Sequence, residues 1–465
     1  MQKINIDNIL FNTDSYKVSM HVQYPLGTEF IRSYISSRGG VFDEVMFAGL
    51  QPFLKNVLAM KITREDVLLA DKLWKIHGEP FPLEKWLYIV EKYDGKLPLH
   101  IKAVKEGSVI PVKNVLVTIV NTDPECYWLT TWVETAMLRA VWYMTDVATK
   151  SYQIKKILKS YLEKSGDISG LPFKLHDFGA RGAHSNESAS LGAAAHLFNF
   201  MGTDTFVGIL RLMNDYSASI EEIGFSIPAG EHSTVTSWGK SGEIDAYFNF
   251  VKQFSKPGSI YAVVSDSYDI YNACKMWSTG DLKDAVITGG GKLVIRPDSG
   301  DPLIVLPKML HVLGENFGFT VNSKGYKVLN HVAVIWGDGI NKQSIEAILR
   351  TMVDLHGWSA DNFAFGMGGA LLGASQRDDQ KWAMKCSQAG IRKNGILEWV
   401  DVFKDPITDS SKSSLKGDVI LVKNQESIRT IRREDIAIDD VQLLESKFID
   451  GELFNVVILS EIRNR

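Results

Sequence analysis

Residues 292–300 read KLVIRPDSG: a short apolar run that stops on Arg296, Pro297, Asp298, Ser299 and Gly300. The same grammar, a β-rich run ending in an acidic or glycine-rich cluster and followed by a helix-like segment, recurs between about residues 150 and 390. It appears as FKLHDFGARG (173–182), MGTDTFVG (201–208), IYAVVSDSYD (260–269), VAVIWGDG (332–339) and NFAFGMGG (362–369). Apolar strands alternating with helices predict a parallel sheet. Polar residues collected at the carboxyl ends of the strands are the layout of a (β/α) barrel's active face. A doubly wound open sheet gives the same alternation, and periodicity alone does not separate the two. Residues 184–200 (HSNESASLGAAAHLFNF) and 341–355 have the start signals and apolar spacing of intervening helices.

Outward from this block the character changes. Residues 45–90 read as mostly helical, 98–121 as a small β-sheet, 126–160 as long helix and 418–460 as short strands. The expected organisation is therefore α/β. Residues 1–150 and 391–465 form the two halves of an α+β domain, around a barrel inserted at 151–390.

Composition narrows the function. A chain of 465 residues with 45% apolar residues and a net charge of −4 is an ordinary globular enzyme in balance. It lacks the basic excess of a nucleic-acid binder. Cys126, Cys274 and Cys386 are scattered and odd in number, with no ligand spacing, so neither a disulfide framework nor a zinc site is expected. The first residues lack a secretory pattern, and no apolar run approaches the roughly 18 residues of a membrane span. A cytoplasmic location is expected.

Several strand-end clusters have chemical content. In RPDSG, Arg296 can donate to a phosphate or ribose oxygen, and Asp298 can accept from hydroxyls or hold magnesium through water. A salt-bridged turn would read the same way. Gly337-Asp338-Gly339 and Gly366-Met367-Gly368-Gly369 allow close backbone approach and free N–H groups at a helix start, a phosphate-type arrangement. Arg377, Lys385, Lys404, Lys412 and Lys416 follow as possible basic partners, each also readable as a solvated charge. His232, in EHST, can be acid, base, nucleophile or structural residue, with Asp266, Tyr268 and Asp269 as candidate partners. Phe178, beside Arg181, offers a ring face to a flat heterocycle. Asp204 can accept from an amide N–H₂ and would repel a carboxylate.

TDSYK (13–17), TDPECYWLTTWVE (122–134), KLHDFGARG (174–182), GTDT (202–205), EHST (231–234), SDSYDIYNAC (265–274), IRPDSG (295–300), GDG (337–339) and VFKDP (402–406) lie in collinear order through nearly the whole chain. Together they closely resemble the nicotinamide phosphoribosyltransferase family. The resemblance implies a type II phosphoribosyltransferase fold, working as a homodimer with tunnel-like active sites shared between subunits. It implies that Phe178 and the partner subunit's Tyr16 sandwich the pyridine ring, that Asp204 selects the amide, and that Arg181 and Arg296 flank the nicotinamide end. Asp298, Gly337 and Asp338 would lie along the ribose. Gly368 and Gly369 would hold the 5′-phosphate with the partner's Arg377 and the partner's Lys385. The partner's Asp14, the partner's Arg38, the partner's Lys404 and the partner's Lys412 would face pyrophosphate. Asp266 and Asp298 would position Mg²⁺. His232 would be phosphorylated by ATP, coupling hydrolysis to the condensation of nicotinamide with phosphoribosyl pyrophosphate. A nicotinate phosphoribosyltransferase, or a non-catalytic binding or signalling homologue, are the competing readings. Ala262, Ala383, Trp336, Met367 and Ala370 depart from the family pattern. Loss of one neutral hydroxyl contact at Ala262 or Ala383 is expected to weaken binding by about 1 kcal/mol.

Overall fold

In the computed structural model, which describes residues 4–408, 414–425 and 427–464, each of the six β-rich runs contains a strand. These are Leu175–Asp177, Gly202–Thr203, Ile260–Val264, Lys292–Arg296, Val332–Trp336 and Phe363–Met367. All pair in parallel, and Phe363–Met367, the last of them, pairs with Leu175–Asp177, the first. A doubly wound sheet would leave its outer strands unpaired. Here the ladder carries on from Gly202–Thr203 to Ile260–Val264 through residues 225–230. Phe225 N–H donates to the Met201 carbonyl at 2.7 Å, and Thr203 N–H donates to the Phe225 carbonyl at 3.0 Å. On the other side Ala262 N–H donates to the Pro228 carbonyl (2.9 Å) and Gly230 N–H to the Ala262 carbonyl (3.0 Å). The circuit of hydrogen bonds is closed, which is the definition of a barrel.

Side chains confirm the closure. Ala262, Val294 and Ile335 form a buried cluster with Phe178, Ile227, Ala333 and Ala364, drawn from five of the strands or their ends and from the closing segment. The inward faces of a curled sheet bring such residues together. Ala262 thus fills the apolar interior. Helices such as Asn186–His196, Glu243–Phe254, Pro302–Phe317 and Lys342–Leu349 follow the strands. The first is started by a capping box between Ser185 and Ser188.

The chain divides into two units, the barrel comprising 150–213 and 219–374, and a second comprising 1–149, 214–218 and 375–465. The expected boundary at 390 falls inside the strand Ala383–Lys393, which is antiparallel to Thr28–Ser36 and so lies with the flanks. Ala383 sits there opposite Ser36, buried. Lys412 lies outside the described residues.

The flanking unit is an α+β structure with a seven-stranded sheet, to which both ends of the chain contribute. Its core includes Trp86, Trp128 and Trp132, packed edge to face with centroids 4.9–5.7 Å apart. Trp132 and Trp74 donate their indole N–H groups to the carbonyls of Ile9 (2.7 Å) and Leu10 (2.9 Å), which fixes the entering chain. The TDSYK string is then tied to TTWVE. Thr13 donates to the Trp132 carbonyl (2.7 Å), Thr135 to Asp14 (2.7 Å), and Lys17 pairs with Glu134 (2.7 Å). Tyr16, between these anchors, stays 60% exposed.

Asp123 is the polar hub of this unit. Its carboxylate accepts from Tyr88 (2.9 Å), Lys92 (2.7 Å), Tyr93 (2.5 Å) and the Glu125 N–H (2.8 Å). Burial opposes ionisation, but Lys92, Tyr93, the Glu125 amide and Tyr88 outweigh it and hold the pKa down at about 2. A lowered folded pKa gives stability that is complete above the unfolded value and lost as pH falls towards the folded one. Asp123→Asn should therefore cost about 2 kcal/mol in denaturant unfolding at neutral pH. The gap from wild type should close as pH is lowered from about 4 towards the folded pKa.

Candidate active site

Because the barrel's strands are parallel, the residue after each strand arrives at the same rim. Phe178 follows Leu175–Asp177, Asp204 follows Gly202–Thr203, Asp266 comes after Ile260–Val264, Asp298 after Lys292–Arg296, Gly337 and Asp338 after Val332–Trp336, and Gly368 and Gly369 after Phe363–Met367. His232 comes two residues after the closing segment, as the first residue of the helix His232–Thr236. The chemistry-bearing residues named from sequence in the barrel thus converge on one rim.

The ring site is built from below. Asp177 is buried; its Oδ1 accepts from the Gly179 N–H (2.7 Å) and its Oδ2 from the Thr203 hydroxyl (3.0 Å). Burial raises its pKa, against the pull of those hydrogen bonds. Asp177 and Thr203 are register partners, so Phe178 and Asp204 leave adjacent strands side by side. Asp204 N–H donates to the Asp177 carbonyl (2.9 Å), and the Ser226 hydroxyl donates to Asp204 Oδ1 (2.6 Å). Asp204 also lines an open groove of about 510 Å³ with Ala180, Ser185, Asn186 and Phe206. The Phe178 ring lies against Gly366, where a Cβ would come within 2.0 Å of it. Arg181 is exposed on the turn Ala180–Gly182.

Opposite in character is the polar arc. Asp266 Oδ2 accepts from Asp298 N–H (3.0 Å) and from the Ser299 hydroxyl. Asp266 Oδ1 is buried with no hydrogen-bond partner among the described residues. His232 Nε2 lies 3.6 Å from Asp266 Oδ1 and 3.9 Å from Asp298 Oδ2, and its Nδ1 is 3.2 Å from the Ser267 hydroxyl. Arg296 Nη2 is 3.9 Å from Asp298 Oδ2, while its Nε is buried with no hydrogen-bond partner among the described residues. A Cβ at Gly337 would stand 3.2 Å from Asp298 Oδ1. Trp336 clamps the next turn by donating its indole N–H to the Asp338 carbonyl at 2.8 Å. Gly369 packs on Gly182, whose Cβ would meet the Gly369 Cα at 2.6 Å.

No group of three or more His, Cys, Asp or Glu suited to a metal exists among the described residues. The pair Asp266 and Asp298, with one orphaned oxygen, does fit an ion held by one or two carboxylates plus substrate oxygens, which is how magnesium binds.

The remaining candidates belong to the flanking unit. Asp14 and Tyr16 sit on the anchored entry segment. Arg38 donates from Nε to the Lys381 carbonyl (3.1 Å), near Arg377, which pairs with Asp378 (2.9 Å). Lys385 stands opposite Tyr34, whose hydroxyl accepts from the Leu415 N–H (2.8 Å). Lys404 exchanges hydrogen bonds with Ser414 through its backbone (2.9 and 3.0 Å).

Comparison with known proteins agrees with this layout. A model of the nicotinate phosphoribosyltransferase (NAPRTase) family matches residues 173–439, and one of the nicotinamide phosphoribosyltransferase N-terminal domain matches 8–101. A nicotinamide phosphoribosyltransferase of Xanthomonas campestris pv. campestris is 48% identical, with 98% of each chain covered. The chain belongs to the nicotinamide phosphoribosyltransferase family. A relative of that name from Acinetobacter baylyi is 30% identical over 98% of this chain and 97% of its own. Among solved structures, nicotinate-nucleotide pyrophosphorylase from Pyrococcus furiosus superposes with TM-score 0.65 at 15% identity, covering 100% of this chain and 96% of its own. Human nicotinic acid phosphoribosyltransferase gives 0.54 at 16%, covering 97% and 92%. These two likenesses show the fold.

The family is one of pentosyltransferases. Within this member, the sequence assigns no side-chain role to Ser226, Ser267, Ser299 or Asp177. Ser267, Ser299 and Asp177 lie inside the strings quoted above. Ser226 carries no local signal, since it meets Asp204 only through barrel closure. Gly366 is the sharpest steric prediction. Gly366→Ala should lower stability by about 1–3 kcal/mol by displacing the Phe178 ring. Thermal melts of Gly366→Ala, Phe178→Ala and the double variant should show the Gly366 penalty largely vanish once the ring is gone.

Proposed function

We propose that this chain joins nicotinamide to 5-phosphoribosyl 1-pyrophosphate, giving nicotinamide mononucleotide and pyrophosphate, as a step of NAD biosynthesis. The observation that carries this reading is the side-by-side placement of an aromatic face, Phe178, and a carboxylate, Asp204, at one barrel rim. The ring stacks on Phe178, and Asp204 accepts from the amide N–H₂. Ser226 holds one Asp204 oxygen and leaves the other for the substrate. The pyridine nitrogen forms a bond to C1 of the ribose as the C1–O bond breaks, with its electron pair leaving on pyrophosphate. The protein's work is alignment and charge stabilisation, with Arg181 and Arg296 flanking, Asp298, Gly337 and Asp338 along the ribose, and Gly368 and Gly369 at the 5′-phosphate.

Asp266 and Asp298 would hold magnesium, whose charge would offset the charge developing on the leaving pyrophosphate. His232 accepts the γ-phosphoryl group of ATP, an N–P bond forming as the P–O bond to the departing ADP breaks. Its Nε2 lies 3.6 and 3.9 Å from two carboxylates and its Nδ1 3.2 Å from the Ser267 hydroxyl, a setting that supports the assignment. The enzyme acts as a homodimer in the cytoplasm, the partner subunit's Tyr16 closing the ring site. The high exposure of an aromatic on an otherwise anchored segment supports that assignment. The partner's Asp14, the partner's Arg38, the partner's Arg377, the partner's Lys385, the partner's Lys404 and the partner's Lys412 supply the remaining charges. No described helix is long and apolar enough to cross a membrane.

The nicotinate reading draws on the family model named for that base. Asp204 weighs against it, because two carboxylates would face each other. Asp204→Asn should reduce kcat/KM for nicotinamide by about tenfold or more, the worth of one charged hydrogen bond, and raise the low activity on nicotinate. Full nicotinamide activity with no gain on nicotinate would remove Asp204 from base selection. No product from either base in the wild-type protein would leave the binding or signalling reading in possession.

For ATP, His232→Ala should abolish stimulation by ATP while retaining turnover in its absence. Quench-flow with labelled ATP checks for acid-labile phosphoprotein. Equal stimulation of wild type and variant would exclude His232 as the acceptor.

A further inference from the structure

The flanking unit holds a second cationic cluster that the proposed reaction leaves unused. Strands Thr28–Ser36, Val115–Asn121 and Leu99–Ala103 are neighbours, with Arg32 opposite Val120, Val120 opposite His100, and Thr118 opposite Lys102. Alternate residues Ile101, Ala103, Val117 and Ile119 are buried in the core. Arg32, His100, Lys102 and Thr118 therefore share the opposite face. The adjoining strand pair Val419–Lys423 and Ile428–Arg432 adds Asp418 and Arg433, joined by the Arg433 N–H to Asp418 carbonyl bond at 2.8 Å. Together these side chains line a pocket of about 240 Å³.

The charges in it do not balance. Asp418 Oδ2 takes both Arg32 Nη1 (2.9 Å) and Arg433 Nε (2.7 Å). The Lys102 ammonium makes no hydrogen bond or ion pair among the described residues, the residue's strand pairing being through the backbone. Three cations thus face one carboxylate, in a setting where the Arg32 side chain is only 19% exposed. Arg32 is also held in place by the Trp399 ring, 4.8 Å from its guanidinium carbon, and by Gln388 at 2.8 Å. Burial, then the nearby Arg433, lower the Lys102 pKa, against the pull of Asp418 and with a further push from Arg32. Burial and Lys102 lower that of His100, so its ring is neutral at pH 7 and engages the Ser446 hydroxyl at 2.8 Å. A sheet face needs no such excess of positive charge for folding, and holding it half-buried is costly.

We infer that this pocket binds a phosphoryl dianion, free phosphate or the phosphate of a small phosphorylated molecule, between Arg32, Arg433 and Lys102. Two guanidinium groups on one carboxylate leave N–H donors for a second oxyanion, the geometry at which arginine excels, and Lys102 supplies the point charge.

Lysine labelling of the full-length protein, read by peptide mass spectrometry, tests this locally. Millimolar phosphate should slow modification of Lys102 severalfold relative to chloride at equal ionic strength. Arg433→Gln should abolish the protection, and Arg433→Lys, which keeps the charge, should retain part of it. Adenosine monophosphate acting at lower concentration than phosphate would identify a nucleotide as the source; equal potency would identify the free anion. Protection of Lys385 and Lys404 in the same spectra reports the proposed reaction site separately. Equal protection by chloride, none by either phosphate, or a Lys102 that resists labelling under all conditions would overturn the inference.

Discussion

The backbone bonds of residues 225–230 are the constraint on which the barrel depends. A parallel strand of two residues, Gly202–Thr203, and the strand Ile260–Val264 would otherwise present unpaired edges, which parallel sheets rarely tolerate. Phe225 satisfies one edge and Pro228 with Gly230 the other. Proline, lacking an N–H, suits a position that needs only to accept, and its carbonyl takes the Ala262 amide. Closure then fixes two things at once. It carries Ser226 to Asp204, and it delivers His232 to the rim within reach of Asp266 and Asp298.

Small residues inside the barrel are the complement of that closure. Ala262, Ala333 and Ala364 leave volume that Phe178, Ile335 and Val294 fill. Gly366 removes the last obstacle beside the Phe178 ring. The ring is therefore held by the shape of the interior and by the carboxylate beneath it, Asp177, whose two oxygens bind the turns on either side. A flat ligand stacked on Phe178 meets a surface that is already rigid, which keeps the entropic cost of alignment low.

Much of the barrel was legible because it is written locally. KLVIRPDSG and its five counterparts each place apolar residues before an acidic or glycine-rich stop within ten residues, and each contains a strand with its polar residues at one rim. What escaped was non-local. FSIPAG (225–230) has no apolar run of its own and acts as a stave only because two edges need it. The strand Ala383–Lys393 reads like the barrel's continuation, yet its partner is Thr28–Ser36, more than three hundred residues earlier. Trp336, an oddity in the string, acquires a purpose only in three dimensions, as a donor to the Asp338 carbonyl. Ser226 was invisible for the same reason.

The rim's electrostatics pose a problem that narrows the chemistry. Asp266 and Asp298 lie side by side where a phosphorylated, negatively charged substrate is proposed to react, and carboxylates repel such a substrate. Hydrogen bonds from Ser299 and the Asp298 amide occupy Asp266 Oδ2 alone, and Oδ1, with His232 Nε2 3.6 Å away, is buried with no hydrogen bond among the described residues. Arg296 Nε is likewise buried with no hydrogen-bond partner among them. An orphaned acceptor asks for a cation and an orphaned donor asks for an anion; satisfying either one alone leaves the other at a cost of about 1–3 kcal/mol. On the proposed reading, a diphosphate carrying its own divalent counter-ion would meet both demands, with Asp266 and Asp298 holding the metal and Arg296 an oxygen. These two groups then favour, on that reading, a metal-chelated pyrophosphate ester over a free base, a free sugar phosphate or a metal ion taken singly.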